Sequence, residues 1–248
     1  AASWTRVENL LQHAFENVPF YRGLFQKINL RPADIKTPAD LTRLPITAKA
    51  SLREGFPRYC VAMNTARNRA IPYLTSGISG THLALFRDRQ FSFRRWALRE
   101  RFYTWCGIDA RDKLVRLVSP LESFPWSHLA LSCFDIEMMH FHYAAKLDTY
   151  QGTVIEAYPS ALASLGRLFK ASGVNARFRI AITTSENLYE EERRFVEYIF
   201  GCRVFDYYAS QEFGPIAHEC EIQQGLHINE ETFWIEIVVR SVCICRTH

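Results

Sequence analysis

Between Thr153 and Tyr207 the chain alternates short apolar runs with longer amphipathic stretches, and this pattern restricts the fold more than any other feature. Thr153–Ala157, Phe178–Thr183 and Cys202–Tyr207 are the apolar runs. Pro159–Lys170, closing at Gly173, and Leu188–Phe200, closing at Gly201, carry apolar residues at helical spacing. Runs of about four to eight residues read as strands, and longer stretches with a period near ~3.6 read as helices. Strand, helix, strand, helix, strand with short links predicts parallel neighbours joined by right-handed crossovers. The links Tyr158-Pro-Ser160, Thr184-Ser-Glu-Asn187 and Tyr208–Gly214 then share the carboxyl edge of one sheet. Ligands of open α/β sheets sit at that edge.

The last link is the richest in chemistry. Asp206-Tyr-Tyr-Ala-Ser-Gln-Glu212-Phe-Gly214 offers an aromatic face at Tyr207 or Tyr208, a small residue at Ala209, a hydroxyl at Ser210 and a carboxylate at Glu212. A ring can stack on a base, and a carboxylate can hold Mg²⁺ that bridges phosphates. A surface turn with a tyrosine packed behind it is the alternative.

A second polar stretch follows the strand-like Ile71–Thr75. Thr75, Ser76, Ser79 and Thr81, with Gly77 and Gly80, suit a loop that wraps phosphate, because glycines admit the oxyanion to backbone amides and hydroxyls. The Gly-Lys-Ser/Thr ending of the Walker loop is absent. A Gly/Ser hairpin turn is the alternative reading.

Elsewhere the sequence speaks of packing. Residues 4–17 form an amphipathic helix that Val18-Pro-Phe-Tyr21 ends, followed by a loop-rich stretch with helical pieces at Pro38–Leu41 and Lys49–Glu54. Gln90–Trp105 reads as a helix with Phe91, Ala97, Leu98, Phe102 and Trp105 inward and Gly107 as its C-cap. Its arginines, with Arg87 and Arg89, are expected on the solvated face. Leu114–Val118 and Thr232–Val239 read as strands. Ser119–His142 resists assignment, although Trp126, His128, His140, Phe141 and His142 could line a pocket for a flat acid or simply pack. His218, Cys220, His227, Cys243 and Cys245 are zinc-compatible types, but their spacings are tighter than the usual Cys-x₂-Cys and read as incidental.

Composition excludes several classes. Thirty basic and 26 acidic residues give a net charge of +4, too small and too mixed to mark a nucleic-acid binder. Seven scattered cysteines form no secreted disulfide framework, so a cytoplasmic location is expected. No apolar run approaches ~18 residues, so no membrane span is expected.

Taken in order, these motifs resemble those of the adenylate-forming (acyl- and aryl-CoA synthetase) superfamily. Thr75-Ser-Gly-Ile-Ser-Gly-Thr81 is similar to its phosphate loop, Tyr158-Pro-Ser160 to its Tyr-Pro-Ser helix start, Thr183-Thr-Ser-Glu-Asn-Leu188 to its Thr-Gly-[Ala/Gly]-Glu-Pro-Leu loop, and Tyr208-Ala-Ser-Gln-Glu212 to its Tyr-Gly-x-[Ser/Thr]-Glu motif. His13–Tyr21, Leu44–Lys49, Glu219-Cys220 and Gly225-Leu-His-Ile-Asn-Glu230 resemble the phenylacetate–CoA ligase-like branch, which includes capsule-biosynthesis relatives.

The resemblance implies an α/β fold: the large N-terminal domain of an adenylate-forming enzyme, a mostly parallel sheet flanked by helices, in truncated form. Residues 1–70 are expected as a helical and loop region packed on the core, 71–239 as the core, and 240–248 as a short tail without the lysine-bearing C-terminal domain. It implies that an acid attacks the α-phosphate of ATP, giving an acyl-adenylate that passes to a thiol (CoA or a carrier) or an amine. Thr75, Ser76, Gln211 and Glu212 are the implied catalytic residues, with Glu212 on Mg²⁺. Ser76, Gly77, Ser79, Gly80 and Thr81, with Thr75, would hold phosphates. Ser185, Glu186, Asp206, Tyr207 and Tyr208 would hold the nucleotide. Tyr158, Pro159, Ala209 and Gly214 would line the acid pocket. Ile78, His82, Ala209 and Gln211 depart from the family pattern. An aromatic acid, an acyl-carrier or other partner protein, and self-association complete the expectations; a non-catalytic or partner-completed nucleotide- or acyl-binding module is the alternative.

Overall fold

The computed structural model describes residues 2–66, 70–75, 82–118, 129–133 and 135–237. The repeating pattern folds as its periodicity dictates. β3 (Leu114–Val118), β4 (Leu129–Ser132), β5 (Val154–Ala157), β6 (Ile180–Thr184) and β7 (Arg203–Ser210) lie parallel in the order β4-β3-β5-β6-β7. β8 (Gly214–His218) and β9 (His227–Ile228) extend the sheet antiparallel beyond β7.

Every residue of β5 and β6 is buried, which explains the unbroken apolar runs: a parallel sheet is covered on both faces. On one face α5 (Ile136–Tyr150), α6 (Pro159–Ser172) and α7 (Glu190–Phe200) carry Leu147, Leu162, Phe169, Val196 and Phe200 against Val115, Ile155, Ala181 and Val204. On the other, α4 (Arg89–Trp105) sets Phe102 and Tyr103 against Leu114, Val154, Ile182, Phe205 and Tyr207. Alternate residues of one strand thus serve two cores. Gly173 and Gly201 close α6 and α7 in the left-handed region.

Where α5 hands the chain to β5, Gly152 leaves no room for a side chain. A Cβ there would lie 2.4 Å from Val115 Cγ2, and Val115 is fully buried. Gly152→Ala is therefore expected to cost about 1–3 kcal/mol by overpacking, read as a lowered urea midpoint at unchanged slope.

Several expectations are corrected. Pro19 ends one helix and opens the next: α1 (Ala2–Asn17) is followed at once by α2 (Pro19–Lys27), because a proline at the first helical position lacks only an amide that has no partner anyway. A short 3₁₀ turn, Pro38–Arg43, and α3 (Lys49–Gly55) stand close to where they were expected. The unassigned stretch yields β4 and α5. The strand expected at 232–239 is not formed over its described part, 232–237: the amides of Thr232 and Phe233 both turn back to the Asn229 carbonyl. Residues 238 and 239 lie outside the described residues, as do Trp126, His128, Cys243, Cys245 and the tail from 240.

The inner face of α4 differs from the expectation as well. Leu98 and Phe102 are buried, but Ala97 and Trp105 are exposed. Arg87 is buried, and Arg95, Arg99 and Arg101 are half-buried rather than solvated; Arg89 and Arg94 do face solvent.

Candidate active site

The sheet brings the three expected links together, since β5, β6 and β7 are consecutive neighbours and their carboxyl ends lie side by side. Pro159 starts α6 directly after β5, and the Glu186 carboxylate, from the link after β6, accepts the Ser160 amide at 3.1 Å. One acid thereby ties two links and satisfies an amide at a helix start. Ser185 beside it has φ 71°, a left-handed conformation that a serine rarely holds. Such strain collects at functional sites.

The third link is a hairpin and not an open loop. β7 runs on to Ser210, Gln211–Phe213 make the turn, and β8 returns antiparallel with a register shift at Tyr208/Ala209. The pleat decides what each residue faces. Asp206 stands opposite Thr183, whose hydroxyl donates to its Oδ1 at 2.7 Å. Glu219 accepts the Asp206 amide at 2.8 Å and pairs with Arg193 at 2.7 Å. Burial, with Glu219 adding to it and Thr183 opposing, raises the Asp206 carboxyl above its ordinary range. Tyr207 points to the α4 face, buried, with its hydroxyl on Glu156 at 2.9 Å. Tyr208 is exposed, and of the two rings it is the one open to a ligand. Ala209 packs against the α4-side core, whereas Tyr158 packs with the α5–α7 side and Pro159 is buried in α6, so these expected pocket residues sit on opposite sides of β6. The second half of the hairpin begins at Gly214 (φ 80°), against which the stem of Arg95 packs; a Cβ at this position would meet Arg95 Cγ at 3.2 Å.

Glu212, in the turn, is half-buried and makes neither a hydrogen bond nor an ion pair among the described residues. Mg²⁺ in nucleotide sites takes one or two carboxylates and completes its shell with phosphates and water. An unengaged carboxylate at the strand edge fits that donor set. Among the described residues no three His, Cys, Asp or Glu side chains gather as a metal site.

The phosphate-loop residues Ser76, Gly77, Ser79, Gly80 and Thr81 lie outside the described residues, but what holds the loop's ends is visible. β1 (Ile71–Leu74) pairs antiparallel with β2 (Ala84–Arg87). At the neck Thr75 is buried, its hydroxyl accepting the Leu83 amide at 2.9 Å and its carbonyl 2.7 Å from His82 Nδ1. The hydroxyl of Thr75 thus closes the hairpin. From β2, Arg87 lies 3.5 Å over the Tyr73 ring and donates to both the backbone carbonyl and the Oε1 of Gln211, the latter at 3.0 Å. This arginine fastens the β1–β2 hairpin to the β7–β8 turn across 124 residues. Sequence reasoning missed it.

Beneath the hairpin lies a second missed feature. Arg116 and Glu156 face each other in register, both almost fully buried, and pair at 2.7 Å. Glu156 also accepts from Tyr103 at 2.8 Å and from Tyr207. A charged residue inside each of two apolar runs was the available signal.

Comparison with known proteins agrees with this architecture. No protein-family model matches the chain. It is 26% identical over 243 residues to a phenylacetate–coenzyme A ligase of Pseudomonas putida, covering 92% of this chain and 55% of that protein. The corresponding ligase of Escherichia coli K12 is 24% identical, with 94% and 56% covered. Among solved structures, 2-hydroxyisobutyryl-CoA ligase with 2-HIB-AMP and CoA superposes with a TM-score of 0.75 at 20% identity, over 91% of this chain and 52% of that one. The fold is that of about half of a 2-hydroxyisobutyryl-CoA ligase chain. In sequence the chain is similar to phenylacetate–coenzyme A ligases along nearly its whole length. It spans about half the length of the relatives it matches. Among the described residues no helix is long and apolar enough to cross a membrane.

Proposed function

We propose that this chain carries the nucleotide and acid sites of an ATP-dependent, AMP-forming carboxylate-activating ligase. The observation that carries the reading is the meeting at one sheet edge of Glu186, Tyr208 and the unengaged Glu212 with the hairpin that bears the Ser/Gly loop, fastened there by Arg87.

In this reading Tyr208 stacks on adenine and Ser185 and Glu186 border it. Ser76, Ser79, Thr81 and the amides at Gly77 and Gly80 hold the β- and γ-phosphates, with Thr75 shaping the neck of their loop. Asp206 and Tyr207 act one layer further in, anchoring the strand that presents Tyr208. Glu212 holds Mg²⁺, which when bound neutralises charge on the phosphates. Gln211, its side chain set by Arg87, donates to the α-phosphate oxygen as the carboxylate attacks and pyrophosphate leaves. The acid lies toward Ala209 and Gly214, with Tyr158 and Pro159 bordering the neighbouring link. The acyl group then passes to a thiol, with CoA the acceptor the relatives' names favour. Residues 1–70 serve as a packing layer on the 71–239 core, and a lysine-bearing domain or partner protein completes the site.

Acid-dependent ATP–pyrophosphate exchange tests this reading. Exchange with any member of an acid panel is the expected result. Nucleotide binding without exchange would instead make the chain a binding module that a partner completes.

A further inference from the structure

On the α4 side of the sheet mouth, basic side chains outnumber acidic ones among the described residues. Arg87, Phe91, Arg95, Arg99 and Tyr103 recur every four residues, so from the start of α4 they form one row on its inner face. The Arg87 guanidinium lies 5.3 Å from the Phe91 ring, Arg95 packs its stem on Gly214, and the Arg99 guanidinium lies 5.6 Å from the Tyr103 ring. Of the arginines on this side, Arg116 pairs with Glu156 and Arg101 with Glu231. Arg87, Arg95 and Arg99 have no carboxylate within ion-pair distance among the described residues, Glu156 and Glu212 reaching Arg99 and Arg87 only as nearby charges, and the buried Nε atoms of Arg87 and Arg99 have no hydrogen-bond partner. Burial and the neighbouring charge of Arg95 lower the affinity of Arg87 for its proton, and Tyr73 and the Glu212 carboxylate offset them only in part. A half-buried row of like charges is costly unless something of opposite charge meets it.

We propose that Arg95 and Arg99, with Arg87 at the end of the row, form an oxyanion subsite that receives a second carboxylate of the acid substrate. The proposal rests on the ligase reading and names the substrate class: acids with an anionic tail rather than plain aryl acids. Position argues for the acid over the nucleotide. The row lies on the face of Ala209 and Gly214, whereas Glu186 and the α6 start it caps belong to the α5–α7 side. Guanidinium forks match planar carboxylates in paired hydrogen bonds, which lysines would not do.

The test is thermal unfolding of the full chain titrated with succinate, glutarate and adipate, with monoacids of equal length, with inorganic phosphate and with AMP. Saturable stabilisation by a diacid, at least about tenfold tighter than by its monoacid, is expected, and Arg95→Gln or Arg99→Gln should weaken it by at least about tenfold. Without ligand, Arg95→Gln should melt no lower than wild type, because it relieves repulsion. No diacid effect, or an effect that both variants keep, overturns the proposal. Phosphate stabilising as well as any diacid, and losing its effect in the same variants, overturns the diacid assignment in favour of a phosphate subsite. The two readings fail separately: exchange with aryl acids but no diacid binding removes the subsite alone, and diacid binding without exchange removes the ligase reading alone.

Discussion

Glu156→Gln should lower the unfolding free energy by about 3–5 kcal/mol, the usual cost of breaking a buried pair from one side. The magnitude comes from what is left behind. Arg116 is 2% exposed and would lose the carboxylate that faces it in register, while Tyr103 and Tyr207 would lose the acceptor they share. Burial also raises the Tyr103 and Tyr207 phenols far above their ordinary range, so neither can supply the missing negative charge. Urea unfolding measures the loss. Replacing both partners at once, Arg116→Met with Glu156→Leu, should recover the part due to charge, because two apolar side chains leave no orphaned charge although the two phenols still lack their acceptor. Recovery that fails would show that the network matters beyond charge pairing.

The same residue gives a pH dependence. Burial pushes the Glu156 carboxyl up, but Arg116, then Arg99 and the two phenols, outweigh it and hold it below the ordinary 4.5. Its stabilisation is therefore complete above that ordinary value and is lost as pH falls through the lower folded one. Wild type should lose stability below about pH 4.5 more steeply than Glu156→Gln does.

Glu212→Gln carries the largest expected effect on activity: a fall of about 10²–10³-fold in acid-dependent exchange, the scale seen when one charge-stabilising group is removed. Stability should change by less than about 0.5 kcal/mol, because the side chain bonds to nothing among the described residues. A raised Mg²⁺ requirement should accompany the loss. Exchange that persists at the wild-type rate and Mg²⁺ requirement would take Glu212 out of the site.

The legible part of this molecule was the part where one residue's surroundings repeat. β5, α6, β6, α7 and β7 read correctly because a strand covered on both faces must be apolar throughout and an amphipathic helix must show its period. α5 stayed hidden because Met138 and Phe141 are exposed beside buried Ile136, Tyr143 and Leu147, which blurs the stripe. The three links could be placed on one edge, yet the pleat that turns Tyr207 inward and Tyr208 outward depends on strand length, and β7 runs past its apolar stretch. Arg87 was read as solvated because nothing local separates a buried arginine from an exposed one. Its partner, Gln211, is defined only by the fold.

The contact between the two ends of the described chain has a consequence for synthesis. Trp4 of α1 meets Trp234 edge-on with ring centroids 5.6 Å apart, and Arg6 donates to the Glu231 carbonyl. Helix α1 thus has no resting place for its tryptophan until nearly all the described residues that follow it have left the ribosome. At about 5–20 residues per second that wait is on the order of ten seconds or more. In the interval only nearby elements such as α2, through Phe15 against Phe25, cover its apolar side. A nascent chain stalled before Trp234 would present an uncovered helix to chaperones, whereas one released after it would not.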